Sequence, residues 1–186
     1  HDFQGGVRPL TLLIEEQIAR TTPQFGMVKS GANYAMALAP TLDAMARNQA
    51  VDQILFATGG DITETGAANF FLADDDRLVT RQLDQSFLHG VTRASVLTLA
   101  ADLGYEVEER PIELDELEDW ASRGEAFLSG TAAVLSPVGT MLRGNAEITF
   151  GDGQPGVNTL RLRESLVSIQ NGSDADPHGW RTTVRS

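Results

Sequence analysis

Apolar residues along the chain group into short runs that are separated by polar, turn-forming residues. The runs Val51–Thr58 and Ala68–Ala73 end at a pair of glycines and at three consecutive aspartates, a layout that predicts two strands. Residues Tyr34–Ala50 are rich in Ala, Met and Leu and predict a helix, in which Pro40 is expected to introduce a kink. The chain is therefore expected to contain both kinds of element.

The strongest helical pattern lies in the middle of the chain. Apolar residues recur at helical spacing from Val96 to Leu103, Thr92 is expected to cap this helix, and Gly104 to end it. Because strands and helices are mixed without a regular βαβ rhythm, the predicted fold class is α+β. The other predicted elements are a strand or short helix in Pro9–Arg20, strands at Tyr105–Ile112, Ala126–Leu128 and Ala132–Leu135, an acidic helix at Leu114–Arg123, and an amphipathic helix at Val157–Gln170 before a polar surface tail.

Composition narrows the classes of function. The 186 residues, 41% of them hydrophobic, fit one compact domain. No apolar run approaches the roughly 20 residues that span a bilayer, and the start of the chain does not resemble a signal peptide, so no membrane partner is expected. A net charge of −12 argues against nucleic acid. The lack of cysteine excludes thiolate metal ligands and fits a reducing compartment; we predict a cytoplasmic protein without a metal site.

The basic residues are unevenly divided between two types. The sequence contains 13 arginines and a single lysine, Lys29. Arginine stays protonated and cannot attack a carbonyl carbon, whereas a lysine amine with a lowered pKa can form an imine. Lys29 is therefore a candidate nucleophile, although a codon bias toward arginine explains equally well why the chain has only one lysine.

Four short segments carry polar groups that suit a phosphorylated pyridine aldehyde. Lys29–Tyr34 places an amine before a small-residue turn and a phenol, and Glu64 offers a carboxylate for a pyridine nitrogen. Leu88–Thr92 begins the strongest helix, where free N–H groups attract anions, and Ser129–Ala132 is small and rich in hydroxyls. Taken singly, each segment has an ordinary alternative: a core tyrosine, a surface glutamate, a helix cap and a plain turn.

The order of these segments resembles the class IV pyridoxal 5'-phosphate aminotransferases, and among them most closely the branched-chain amino acid aminotransferases. The motifs VKSGANYA, DITETGAANFF, LHGVTR, SGTAAVLSPVG and DPHGW follow one another as they do in that family, and the resemblance extends from about Gly6 to Trp180. It implies the C-terminal, cofactor-binding domain of fold type IV enzymes, a mixed sheet or pseudo-barrel flanked by helices. Pyridoxal 5'-phosphate is the implied cofactor.

The resemblance also implies a role for individual residues. Lys29 would form the Schiff base and later move a proton, Glu64 would meet the pyridine nitrogen, and Tyr34 would meet the ring hydroxyl. The implied phosphate-binding residues are Gly90, Val91, Thr92, Gly130 and Thr131, and Thr131 and Ala132 would also face the substrate carboxylate. The implied partners are an amino acid and a 2-oxo acid, with a second copy of the chain forming a homodimer.

Some features depart from the family pattern. Ala32 stands in place of a second glycine, His89 in place of a common proline, and Ala67-Ala68 where larger or polar residues are frequent, so the substrate stays open. His89 could add charge to an anion site, but an exposed loop histidine is the simpler interpretation. Only 28 residues precede Lys29, whereas the family has an N-terminal domain that supplies a phosphate-binding arginine and completes the site. We therefore expect residues 1–10 to be an interdomain linker remnant and residues 11–186 the cofactor domain.

The activity expected from the resemblance is transfer of an amino group between a branched or other apolar L-amino acid and 2-oxoglutarate. Two alternatives remain open. Another class IV enzyme, a D-amino acid or amine transaminase or a lyase, would use the same cofactor. A fragment that binds the cofactor without turnover on its own would also fit, because fold resemblance does not establish activity.

Overall fold

The structure, a computed structural model, describes residues 7–184. Its strands are β1 (Leu10–Glu15), β2 (Gln53–Phe56), β3 (Asn69–Ala73), β4 (Arg77–Thr80), β5 (Glu106–Glu109), β6 (Glu125–Gly130), β7 (Val134–Arg143) and β8 (Ala146–Thr149). Its helices are α1 (Gly31–Arg47), α2 (Val91–Asp102), α3 (Leu117–Arg123) and α4 (Val157–Asn171). Residues 1–6, most of the predicted linker, lie outside the described residues, and β1 already begins at Leu10.

The strands form one mixed sheet in the order β2-β1-β7-β6-β3-β4-β5, with β8 paired to β7. The pairs β1–β2, β1–β7 and β4–β5 are parallel, and the other pairs are antiparallel. A mixed sheet flanked by helices confirms the predicted α+β class. The strands β3 and β6 lie side by side near its centre, so residues at their ends are held on a rigid support.

Both faces of the central strands are buried. Phe70 and Leu128 belong to the core on one face, which includes Trp120 of α3. Phe71 and Phe127 point to the other face, where their rings stack with centroids 4.9 Å apart beneath α2 and α4. Because side chains alternate along a strand, consecutive apolar residues in β3 are what a sheet covered on both faces requires.

Most predicted elements are found, with shifted ends. The apolar stretch after Pro9 is a strand, not a helix, and α1 begins at Gly31, three residues before its predicted start. Gly104 has a φ of +90°, which fits its predicted place at the end of α2. The prediction that Thr92 caps α2 is wrong: Gly90 is the N-cap residue, and Thr92 lies inside the helix.

The sequence patterns missed two short strands and the length of a third. Strands β4 and β8 have only four residues each, and β7 extends to Arg143, well past the predicted end at Leu135. Each missed segment contains Arg, Glu, Gly or Thr among its apolar residues, so its alternation is weak. These segments are ordered by pairing with neighbouring strands more than by their own composition.

Across residues 7–184, none of the helices is both long enough and apolar enough to cross a bilayer.

Candidate active site

Glu64 is a buried carboxylate between β2 and β3, with 1% of its surface exposed. Its Oε1 accepts a hydrogen bond from the N–H of Leu88 at 2.9 Å and lies 2.8 Å from Nη1 of Arg20, and its Oε2 accepts from the side-chain amide of Asn69 at 3.1 Å. Burial raises the pKa of Glu64 to about 7, while the charge of Arg20 and the N–H of Leu88 act to lower it. The carboxylate is thus held in place and titrates near neutrality.

Arg20 is a part of this cluster that the sequence patterns did not reveal. It is 4% exposed, donates through Nε to the carbonyl of Thr65 at 3.0 Å and through Nη2 to the carbonyl of Gly66 at 3.2 Å, and lies 5.7 Å from the centre of the Tyr34 ring. The available signal was weak: a charged residue that ends an apolar run nine positions before the sole lysine.

Asn69 connects Glu64 to the segment that precedes α2. Its side-chain amide donates to the carbonyl of Leu88 at 2.9 Å as well as to Glu64. A Cβ atom built on Gly90 would overlap the side-chain oxygen of Asn69. The carboxylate and the first turn of α2 are therefore held at a fixed separation by one buried side chain.

Two helix N-termini in the molecule differ in how they are satisfied. At α4, the carboxylate of Glu125 accepts the backbone N–H groups of Asn158 and Thr159 at 2.8 and 2.9 Å. At α2, no side chain of the described residues caps the helix, and Val91 is 84% exposed. The free N–H groups of the first turn of α2, together with the helix dipole, suit an anion such as phosphate.

The segment Ser129–Ala132 begins opposite Asn69, the residue that contacts the start of α2. Ser129 at the end of β6 is opposite Asn69 of β3, and its hydroxyl is buried without a hydrogen-bond partner among the described residues. Gly130 is half-buried, and Thr131 and Ala132 are exposed in the turn that leads to β7. An unpaired buried hydroxyl is uncommon in a native structure, and a catalytic or ligand-binding role is one explanation for it.

The turn after β6 is held from α4. Arg163 donates to the carbonyls of Ala133 and Leu135, the latter at 2.9 Å. Val134 has a φ of +59°, which is unfavourable for a β-branched residue. Such a conformation persists because the surrounding contacts impose it, and strain of this kind is often found beside functional groups.

Lys29 lies in an exposed loop just before α1, and hydrogen bonds with the side chain of Asn33 hold that loop. The buried Asn33 donates to the carbonyls of Phe25 and Val28 at 2.7 and 2.8 Å and accepts a hydrogen bond from Thr21. A Cβ atom on Gly26 would overlap the backbone of Ser86 and Phe87. The lysine loop therefore packs against the segment that leads to α2.

Tyr34, in the first turns of α1, is half-buried, so it is neither fully in the core nor on the open surface. It lines an apolar cavity of about 440 Å³ together with Gly66 and Ala67. This cavity adjoins the backbone that Arg20 holds. Tyr34 is thus near the charged cluster, on the side of α1.

Two sequence features do not join the cluster. His89 is exposed, with Nε2 2.7 Å from the carbonyl oxygen of Asp84. In the tail, the ring of His178 stacks on Trp180 and lies 2.6 Å from Asp102, at the C-terminal end of α2. Because α2 has 12 residues, this end lies about 18 Å from its N-terminus.

In residues 7–184, no group of His, Asp and Glu is arranged to hold a metal ion.

The residues present fit pyridoxal phosphate. Glu64 matches a pyridine nitrogen, the open N-terminus of α2 matches a phosphate, and the unpaired hydroxyl of Ser129 leaves a donor free beside it. Glu64 and the segments 88–92 and 129–132 are brought together at one end of β3 and β6, with the lysine loop packed beside them. The roles assigned to the individual residues stay predictions.

Comparison with known proteins agrees with this geometry. Residues 8–140 match the family model described as amino-transferase class IV. The branched-chain-amino-acid aminotransferases of Mycolicibacterium smegmatis and Mycobacterium tuberculosis are 39% and 40% identical over 96% of this chain. The chain spans about half the length of these relatives, 51% in each case.

Solved structures give the same result for the fold. A T.th. branched-chain amino acid aminotransferase with pyridoxamine 5'-phosphate superposes with a TM-score of 0.77 at 29% identity, over 97% of this chain and 57% of that one. The enzyme of Thermobaculum terrenum in its PLP form gives a TM-score of 0.75 at 28% identity, over 90% and 53%. A shared fold and a family match over most of the length lead to one conclusion: the chain belongs to the class IV aminotransferase family.

Proposed function

We propose that this chain is the cofactor-binding part of a pyridoxal 5'-phosphate-dependent aminotransferase. The observation that carries the proposal is the buried Glu64, tied through Asn69 to the open N-terminus of α2. A carboxylate and an anion site linked by one side chain are the two kinds of group that a phosphorylated pyridine ring requires. When bound, the cofactor supplies an electron sink for the reaction.

The chain's own residues would divide the remaining work. Lys29 would supply the amine for the cofactor aldehyde and would later move the substrate proton, and Glu64 would hold a proton on the pyridine nitrogen. Tyr34 would donate a hydrogen bond to the ring hydroxyl. The backbone at Gly90, Val91 and Thr92, with Gly130 and Thr131, binds the phosphate, and the backbone at Thr131 and Ala132 orients the substrate carboxylate.

The names of the relatives support branched-chain amino acids as the amino donors. We propose transfer between such an L-amino acid and 2-oxoglutarate in the cytoplasm. A cofactor-bound chain given one equivalent of L-leucine should lose its imine absorbance and release the 2-oxo acid. Conversion of D-leucine or of 1-phenylethylamine at a higher rate would instead support another class IV enzyme.

A second candidate is a fragment that needs a partner for turnover. Helix α1 carries four large apolar side chains that are 36–55% exposed: Met36, Leu38, Leu42 and Met45. Exposed apolar side chains on one helix are candidates for an interaction surface. We propose that an N-terminal domain and a second copy in a homodimer complete the site. The leucine experiment, repeated with the N-terminal half of a relative added, separates the two cases: turnover by the chain alone contradicts the fragment hypothesis.

A further inference from the structure

Arg20 and Glu64 form a buried pair of opposite charges. The two side chains are 3% and 2% exposed, with Nη1 of Arg20 2.8 Å from Oε1 of Glu64. Nη1 has no well-angled hydrogen bond with any described residue, so this contact is mainly an attraction between charges. The other nitrogens donate to the carbonyls of Thr65 and Gly66. Arg20 is thus attached to the backbone beside Glu64 and directs its charge at the carboxylate.

A buried ion pair contributes little net free energy to the stability of a fold. Removing both charges from water costs about as much as their attraction returns, and apolar residues of similar size often do as well or better. The charge of Arg20 is therefore better explained by its effect on Glu64 than by a gain in stability. Without a nearby cation, burial would keep Glu64 neutral at physiological pH. A neutral carboxyl group cannot hold a proton on a pyridine nitrogen.

We propose that Arg20 is a positioning residue that keeps Glu64 ionised and orients its carboxylate toward the pyridine nitrogen of the cofactor. This inference rests on the proposed function, since it assumes pyridoxal phosphate as the ligand. In this role Arg20 acts through its contact with Glu64.

The surroundings of Glu64 identify Arg20 as the source of this effect. Among the described residues, the groups within hydrogen-bonding or ion-pairing distance of its carboxylate are Arg20, the amide of Asn69 and the N–H of Leu88. Only Arg20 carries a charge. The phenol of Tyr34 is a titratable group that faces Arg20, with its ring centre 5.7 Å from the guanidinium carbon. A change at Arg20 should thus move the titration of Glu64 more than any other single substitution nearby.

The first part of the test uses the cofactor-free protein. Glutamate labelled with ¹³C at the carboxyl carbon reports the titration of Glu64 by NMR, and Glu64→Gln assigns its signal. In Arg20→Met the pKa of Glu64 should rise by about one unit or more, and Arg20→Lys should restore part of the shift. Arg77→Met is the matched control: its ion pair with Asp74, at 2.8 Å, lies at the opposite end of β3.

The second part uses protein loaded with pyridoxal phosphate labelled with ¹⁵N in the ring. The ring nitrogen should stay protonated above pH 8 in the wild type and in Arg77→Met but lose its proton at lower pH in Arg20→Met. If Arg20→Met does not fold, Arg20→Gln keeps amide donors for the carbonyls of Thr65 and Gly66 without the charge. A folded, uncharged variant whose Glu64 and ring nitrogen titrate as in the wild type would overturn the inference. Failure of the wild type to form a covalent adduct at Lys29 would instead overturn the proposed function.

Discussion

The side-chain oxygen of Asn69 occupies the space that a Cβ atom on residue 90 would need. Gly90 has a φ of −68°, which any residue can adopt, so it is the close approach of Asn69 and not the backbone conformation that requires glycine here. The same asparagine binds Glu64 and the carbonyl of Leu88. The spacing between the carboxylate and the helix terminus is therefore set by this contact.

Gly90→Ala should weaken cofactor binding by an order of magnitude or more, since the methyl group must displace either Asn69 or the first turn of α2, at a cost of about 1–3 kcal/mol. Fluorescence titration with pyridoxal phosphate measures the loss. Val91→Ala is the control, because it keeps the backbone N–H and changes an exposed side chain. Equal losses in both variants would contradict backbone binding of the phosphate.

The buried Glu64 should make the free energy of unfolding depend on pH in a defined direction. Its pKa is about 7 in the folded protein against an ordinary value of 4.5, so between these values the folded state binds more protons than the unfolded state. The contribution of Glu64 to stability is greatest below pH 4.5 and falls as the pH rises to 7, by up to about 3 kcal/mol.

Urea unfolding of the cofactor-free wild type and of Glu64→Gln between pH 5 and 8 isolates this contribution. The stability of the wild type relative to the variant should decline across the range, since glutamine does not titrate. A difference that stays constant, or that grows with pH, would show that Glu64 is ionised throughout.

Ser129→Ala should separate ligand binding from stability. The hydroxyl of Ser129 is buried and unpaired within the described residues, so its removal should leave the stability of the cofactor-free protein unchanged or raise it by about 1 kcal/mol. Cofactor affinity should nevertheless fall several-fold. Ser136→Ala in β7, where the side chain is half-buried, is the control in both measurements. A loss of stability with no loss of affinity would assign the hydroxyl to the fold.

Glu125→Gln should have the opposite effect. Glu125 accepts four hydrogen bonds from Asn158 and Thr159, two from backbone and two from side-chain groups, and so fills the N-terminus of α4. Loss of its charge should lower the free energy of unfolding by about 1–3 kcal/mol while cofactor affinity stays the same. Thermal unfolding and fluorescence titration test the two halves of this prediction.

The fold and the site were predictable to different degrees. A local apolar pattern was sufficient to predict α2, because its apolar face repeats within a dozen residues. It was also sufficient to predict β3, whose five residues are all buried. It failed for β4 and β8, which depend on neighbouring strands for their order. The same limit applies to the site. Glu64 was a candidate because a glycine and a strand follow it, but its partner Arg20 is 44 positions away, and no local pattern connects them.

The order of motifs along the chain gave more information about the site than any single motif. It grouped Lys29, Glu64 and the segments 88–92 and 129–132, and the last three lie together at one end of the central strands. It also included DPHGW, although His178 lies at the far end of α2. The order of the motifs is enough to indicate the family, but the structure is needed to show which motifs lie at the site.

The central claim, that Lys29 bonds covalently to pyridoxal phosphate, can be tested by one measurement. The protein is incubated with the cofactor, reduced with borohydride and digested, and the modified peptide is identified by mass spectrometry. Because Lys29 is the sole lysine, the other primary amine of the chain is its N-terminus. We predict one phosphopyridoxyl group on the peptide that contains Lys29, and no adduct apart from the terminal amine in Lys29→Arg. An unmodified Lys29 in protein saturated with the cofactor would contradict the account.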